Sequence, residues 1–288
     1  MPVARLADRA VIEVAGADAA RFLDGLATSA IGMTPPTPRF AGLLTPQGKI
    51  LFDFIAFPLA ETSEPSFLLD CAAAQAEALT KRLTFYRLRA KVAIAPREDL
   101  AVLAGWDGAA IPGSARVGAT DPRLSALGWR AIVEASEAEA LADASAEAYH
   151  AHRIALGVPE GGRDFLFGEA FPHEALMDQL GGVDFGKGCY VGQEVVSRMQ
   201  HRGTARTRIL PATYADALAP EVGVDVLAGE RVIGRTGSAA NGRGLVMVRL
   251  DRIADALAEG LPIVAGGRPL RVARPPFAAF ETPGIGAD

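Results

Sequence analysis

The sequence predicts a mixed α+β chain that closes on a small all-β domain. Three observations carry this: a β-hairpin in the first sixty residues, an amphipathic helix soon after it, and a change of texture beyond residue 204 to short β-like runs broken by turns. Taken in order, Ala10–Gly16 (AVIEVAG) is apolar and β-branched enough for a strand, and Asp18 stands where it can cap a helix carrying Phe22, Leu23 and Leu26. Phe40–Leu44 and Ile50–Phe57 are apolar runs separated by TPQGK, whose Pro46 and Gly48 suit a hairpin turn. From Ala72 to Tyr86 the apolar residues Ala72, Ala76, Leu79, Leu83 and Tyr86 recur at helical spacing, with Gln75, Glu77, Lys81 and Arg82 off that stripe. Short strands follow around Leu88–Ala95, Leu100–Ala104 and Arg130–Glu134. Ser136 with Glu139 reads as a capping box opening a helical stretch to Leu156, closed by Gly157 and Pro159. Last come RVIGRTGSA and GLVMVRL, spaced by AGE, NGR and AGGR turns, the pattern of a small barrel or sandwich.

With 288 residues, half of them apolar, the chain is large enough for two or three packed units. No apolar run reaches the ~18 residues of a membrane span, and MPVARLADRA lacks the apolar core of a secretory signal, so the expected location is the cytoplasm, without a membrane partner. Two cysteines, Cys71 and Cys189, cannot build a disulfide framework, and no four-ligand metal spacing is visible. A net charge of −5 argues against non-specific nucleic-acid binding.

One stretch concentrates chemistry. Gly186–Glu194 reads GKGCYVGQE and sets Cys189 in a turn with Gly186, Gly188 and Gly192, ahead of an expected helix. Helix N–H groups and Lys187 would favour a thiolate there, whereas a buried cysteine would be a small inert hydrophobe. A Cys–His dyad would have to form through space, with His152, His173 and His201 as candidates. In FPHEALMDQL, Glu174 sits among apolar neighbours, where a carboxylate can accept two parallel hydrogen bonds from an amidine-like edge or serve as an ordinary helix-start acid. Ser197–Arg208 carries Arg198, Arg202, Arg206 and Arg208 around His201, a set suited to phosphates, to a carboxylate-bearing tail, or to plain solvation. Asp53 interrupts an apolar strand, and either has a buried partner or faces water from a sheet edge.

With KGCYVGQE (Lys187–Glu194) in hand, the chain resembles the YgfZ-type folate-binding proteins, paralogues of the glycine-cleavage T-protein whose members include mitochondrial iron–sulfur assembly factors. DPR with LGWR (Asp121–Arg130), RIALGVPEG, FPHEALMDQL, SRMQHRGTAR, LLTPQGKILFD and FYRLRAKVAI extend the match over most of the chain. The resemblance implies an α+β, T-protein-like architecture: α/β domains over residues 1–203, in two interleaved parts of about 1–95 and 96–203, and a C-terminal β-barrel over 204–288. It implies tetrahydrofolate or a one-carbon derivative as ligand, with Glu174 on the pterin edge, Tyr190 packed near it and Arg198 or Arg202 at the glutamate tail. It further implies iron–sulfur client or assembly proteins as partners, tRNA-modifying enzymes among them, and Cys189 as the residue on which client support depends. Lys187, Gly188, Gly192, Gln193 and Glu194 complete the motif. The chain departs from the T-protein in Leu68–Leu79 (LLDCAAAQAEAL), where Asp70 stands at the strand end and the catalytic aspartate has no counterpart. Aminomethyl transfer, with Glu77 or Asp53 as base, is therefore the rival reading, and direct tRNA binding through the arginine run a third.

Overall fold

The computed structural model describes the chain apart from residues 33–36, 61, 204, 283 and 285–288. Thr204, where the expected barrel boundary falls and which belongs to the arginine run, lies outside the described residues. The chain forms two compact units, Met1–Tyr149 with Leu180–Gln193, and His150–Gln179 with Glu194–Asp288. The two units alternate along the chain, with crossings after residues 149, 179 and 193.

The first unit holds β1 (Val3–Arg5), β2 (Arg9–Ala15), α1 (Ala19–Asp24), β3 (Arg39–Leu44), β4 (Ile50–Pro58), β5 (Ser66–Ala72), α2 (Ala76–Arg87), β6 (Ala93–Pro96), β7 (Leu100–Gly105), β8 (Val117–Thr120), β9 (Trp129–Glu134), α3 (Ala135–Leu141) and the opening of α4 (Ala146–Ala155). The strands make two antiparallel sheets, ordered β3-β4-β5-β2-β6 and β1-β7-β9-β8. The hairpin forms as the sequence predicts: Thr45 N–H donates to Lys49 O at 2.8 Å, and Gly48 takes φ +81° in the turn. Inside the five-stranded sheet β4 and β5 are interior strands and are buried along almost their whole length. Asp53 therefore lies buried in an interior strand rather than facing water from an edge. α2 buries Leu79 and Leu83 and leaves Glu77 and Lys81 paired in solvent, as its stripe requires.

Local capping differs from expectation in two places. The Asp18 carboxylate accepts Lys91 N–H at 2.8 Å and makes no bond to α1. The Ser136–Glu139 box does not form: α3 starts two residues earlier than that cap requires, with Glu134 at its N-cap and no capping bond, and Glu139 pairs with Arg5. The helical stretch to Leu156 is likewise split into α3 and α4.

A buried ionic cluster ties the two sheets of this unit together. Asp70, fully buried on β5, accepts Arg9 Nε at 2.6 Å and Arg130 Nη1 at 2.8 Å. Arg130, on β9, also donates to the Tyr149 hydroxyl at 2.8 Å. Next to it Asp121 takes a bidentate bond from Arg123, at 3.0 and 2.7 Å. Burial alone would push the Asp121 carboxyl up, but Arg123 and Arg130 outweigh it and hold that group below its ordinary value.

The second unit comprises the rest of α4, the segment to Gln179, α5 (Gln193–Arg202, from Glu194 onward), β10 (Thr207–Tyr214), β11 (Asp225–Ala228), β12 (Arg231–Ala240), β13 (Arg243–Arg249), α6 (Leu250–Ala258), β14 (Ile263–Ala265) and β15 (Arg268–Val272). Its strands close a six-stranded barrel, β10-β13-β12-β11-β14-β15, with β15 returning to β10. The NGR turn joins β12 to β13 through Asn241 and Gly242, at φ +51° and +75°, the hand that hairpin strands need. The 150–179 segment is bound to the barrel by Arg153, which bonds Asp164 Oδ2 at 2.6 Å and Ser238 Oγ at 2.8 Å. Among the described residues no helix is long and apolar enough to cross a membrane.

Removing one member of a buried ion pair leaves the other charged and dry, which typically costs about 3–5 kcal/mol. Asp70→Ala strands two guanidinium groups and is expected to destabilise urea unfolding by at least that much, while Lys81→Ala on the solvated face of α2 leaves the urea midpoint where it was.

Candidate functional site

The Gly186–Gln193 turn belongs to the first unit and is clamped on both flanks. Gly192 has φ +84°, and a Cβ there would lie 2.5 Å from Thr45 O and 3.1 Å from Gly48 Cα, so its bare backbone is seated on the β3–β4 turn. The other two glycines do not need their freedom: Gly186 bonds Asp184 Oδ1 at 2.8 Å, and a Cβ on Gly188 would meet open space. On the opposite flank Lys187 Nζ donates to the carbonyls of Asp24 (2.6 Å), the last residue of α1, and of Ala27 (2.7 Å) and Ser29 (3.2 Å) just beyond it. Its burial pushes the ammonium below its ordinary value despite Asp24 and Asp184. Its three donors are thus taken up by backbone carbonyls, a structural role for Lys187 that the sequence did not suggest. Upstream, the Thr28 hydroxyl donates to Gly182 O at 2.5 Å and accepts Gly42 N–H at 2.8 Å.

Between the clamps Cys189 is exposed and makes no hydrogen bond among the described residues. Tyr190 turns inward under the Lys187 ammonium, 5.6 Å from its ring centroid; its hydroxyl is buried without a partner among the described residues, and burial pushes it up to about 12. The helix expected after the turn begins at Gln193, with Glu194 exposed in its first turn, where a carboxylate suits the helix dipole. Cys71 is the opposite case: it lies buried on β5, and desolvation pushes its thiol up to about 12. All four histidines belong to the second unit, so no Cys–His dyad forms within the unit of Cys189.

Glu174, Arg198 and Arg202 lie in the second unit. Glu174 Oε2 accepts the Phe171 N–H at 2.8 Å, a back-bonding cap, and its carbonyl accepts Ile209 N–H from β10 at 2.9 Å. The neighbouring His173 is buried, contacts Gln200 Oε1 at 3.0 Å, and is kept below its ordinary value by desolvation. The arginine run divides by position. Arg198, Arg202 and Arg206 are exposed, whereas Arg208 is buried, bonding His173 O and both Asp178 oxygens at 2.7–2.9 Å and stacking 4.3 Å from the Phe280 centroid. Of the carboxylates put forward as bases, Glu77 is exposed and its bond to Lys81 lowers it, which makes it a weaker base. Sequence reasoning missed Thr28, Thr45 and the Asp24–Ser29 carbonyls that seat the thiol turn, because backbone acceptors leave no residue-type signal.

Residues 206–280 match the family described as the CAF17 C-terminal β-barrel domain. The chain is 39% identical to the human mitochondrial iron–sulfur cluster assembly factor IBA57 over 238 residues, 74% of this chain and 67% of that protein. It is 34% identical to the mouse protein of the same name, covering 86% and 78%, and 37% identical to the Neurospora crassa homologue, covering 77% and 56%. Among solved structures, the glycine cleavage system aminomethyltransferase T from Bartonella henselae superposes with a TM-score of 0.71 at 17% identity, over 96% of this chain and 86% of that one. The fold is therefore T-protein-like, mixed α and β with a terminal barrel. The cytoplasmic location expected from the N-terminus is overturned, since these relatives are named mitochondrial.

Two measurements check the turn. Gly192→Ala forces a side chain into positive φ against Thr45 and is expected to cost about 1–3 kcal/mol, while Gly188→Ala changes stability by less than about 0.5 kcal/mol. In a thiol titration of the native protein, Cys189 is expected to react with an aromatic disulfide and Cys71 only after denaturant is added.

Proposed function

This chain belongs to the IBA57 family of iron–sulfur cluster assembly factors, and on that premise we propose that it assists the assembly or repair of iron–sulfur clusters in client enzymes, with Cys189 as its working thiol. The observation that carries the proposal is an exposed cysteine, without hydrogen-bond partners among the described residues, held on a turn fixed at both ends. A thiolate is a soft ligand for cluster iron and a nucleophile toward disulfides. A clamped backbone keeps it presented at little entropic cost when a partner arrives. The cluster is cargo in this reading, and the clients include tRNA-modifying enzymes.

The finer assignment, a YgfZ-type protein that binds tetrahydrofolate or a one-carbon derivative through Glu174, Tyr190, Arg198 and Arg202, rests on the motif resemblance. Tyr190 suits it, because a buried hydroxyl without a partner is a group that a ligand can satisfy. Glu174 suits it less well: a two-oxygen fork to a pterin edge would share Oε2 with the Phe171 cap. Bound there, the folate would supply a one-carbon carrier. Of the two bases named for aminomethyl transfer, Glu77 is paired with Lys81 in solvent and Asp53 is buried in an interior strand, and Asp70 at the strand end is held in buried ion pairs, so that reading is the less favoured one.

In cells lacking the endogenous factor, Cys189→Ala is expected to fold normally yet fail to restore client activity; full complementation would end the role of the thiol. By calorimetry, wild-type protein is expected to bind tetrahydrofolate at one site, with stability rising by ~2.7 kcal/mol at a hundred times the dissociation constant. Glu174→Gln keeps an oxygen for the cap but loses the fork, and is expected to weaken binding at least tenfold. Absence of saturable binding by the wild type removes the folate and leaves the thiol proposal standing.

A further inference from the structure

The chain leaving α2 reads Phe85-Tyr86-Arg87-Leu88-Arg89-Ala90-Lys91, and it holds apolar side chains out in water. Leu88 is 89% exposed and Phe85 72%. Leu88 also follows α2 directly at φ +44°, ψ −107°, a strained conformation for a side-chain-bearing residue at a place where helices ordinarily use glycine. Strain that lifts a leucine into solvent gains nothing within the fold, and strained residues concentrate where they are used.

The surroundings indicate what meets it. Arg87 and Arg89 flank Leu88, and with Arg21, Phe22 and Tyr86 they line a shallow cavity of about 320 Å³. Arg82 lies 5.9 Å from the Tyr86 ring centroid, and Lys91 is exposed beside them. Asp18 is the only acid in the cavity lining, and its carboxylate is engaged by Lys91 N–H. Arg21, Arg87 and Arg89 have no carboxylate partner among the described residues.

We propose that this knuckle is the docking site for an acidic segment of a partner protein, with Leu88 entering an apolar pocket on the partner while Arg21, Arg87 and Arg89 meet its carboxylates. Tyrosine and arginine, which Tyr86, Arg21, Arg87 and Arg89 supply here, are enriched in binding hot spots, and arginine forks match carboxylates in geometry as well as charge. A protein partner fits better than the alternatives. A nucleic acid takes an aliphatic side chain only by unstacking a base step, at a cost in stacking energy, and two apolar side chains are far short of a stable bilayer anchor. The proposal goes beyond the function above, saying how a partner is held, and uses none of the thiol-turn residues.

The test is selection of displayed 12-residue peptides on the purified full chain, followed by fluorescence anisotropy of the best binder. The expected peptides carry two or more Asp or Glu beside Leu, Ile, Met or Phe. The dissociation constant is expected to rise at least tenfold in Leu88→Gly and in Arg87→Glu/Arg89→Glu, and severalfold between 50 and 300 mM salt. Leu88→Gly is also expected to raise the melting temperature by relieving strain, which separates lost binding from lost folding, and Cys189→Ala is expected to bind unchanged. Recovery of peptides without acids, failure to recover any, binding untouched by Leu88→Gly, or preferential capture of a 20-nucleotide RNA or of phosphatidylserine vesicles through the same arginines would each overturn the proposal.

Discussion

Asp70 carries a task that no other side chain shares among the described residues of its unit: one buried carboxylate neutralises two guanidinium groups brought to it from different sheets. Arg9 reaches it from the neighbouring strand β2, and Arg130 from β9 across the interior. Each of the three charges would be prohibitive alone, and together they fix how the two sheets meet. The constraint bears on chemistry as well. In the stretch Leu68–Leu79, where the T-protein resemblance leads one to look for a catalytic carboxylate, the acid that is present has been given to the fold, and the remaining one, Glu77, faces water.

The two cysteines show how far position outweighs residue type. Cys71 lies on a strand with neighbours on both sides, close to carboxylates, and desolvation removes its acidity. Cys189 lies on a segment whose only regular feature is how firmly its neighbours are held. Lys187 works as a clasp on three carbonyls that α1 leaves behind, and Gly192 lets the backbone come close enough to the β3–β4 turn to act as a second clasp. The motif KGCYVGQE thus divides into residues that fix the turn and one that the turn displays.

Periodicity made much of the architecture readable. The β3–β4 hairpin, the Leu79–Leu83 stripe of α2 and the NGR turn of the barrel all follow local rules that neighbouring residues enforce. What stayed hidden depends on distant parts of the chain. The return of residues 180–193 to the first unit leaves no mark in local pattern, nor does the division of the arginine run into exposed Arg198 and Arg202 and a buried Arg208. The Ser136–Glu139 pair had the spacing of a cap, but Arg5 offers Glu139 a charged partner and the box is not made. At the site, Cys189 was visible because the turn residues around it are unusual, whereas the clasp made by Lys187 was not, because its acceptors are backbone oxygens about 160 positions away.

That separation in sequence governs when the thiol comes into being as a presented group. Contacts between residues 24–29 and 182–187 close loops spanning more than half of the chain, and such closures come late, after locally paired strands have formed. On the ribosome the residues of the hairpin and α2 emerge long before Lys187 does, so they can pair before the Cys189 turn exists. Presentation of Cys189 is thereby tied to completion of the unit around it.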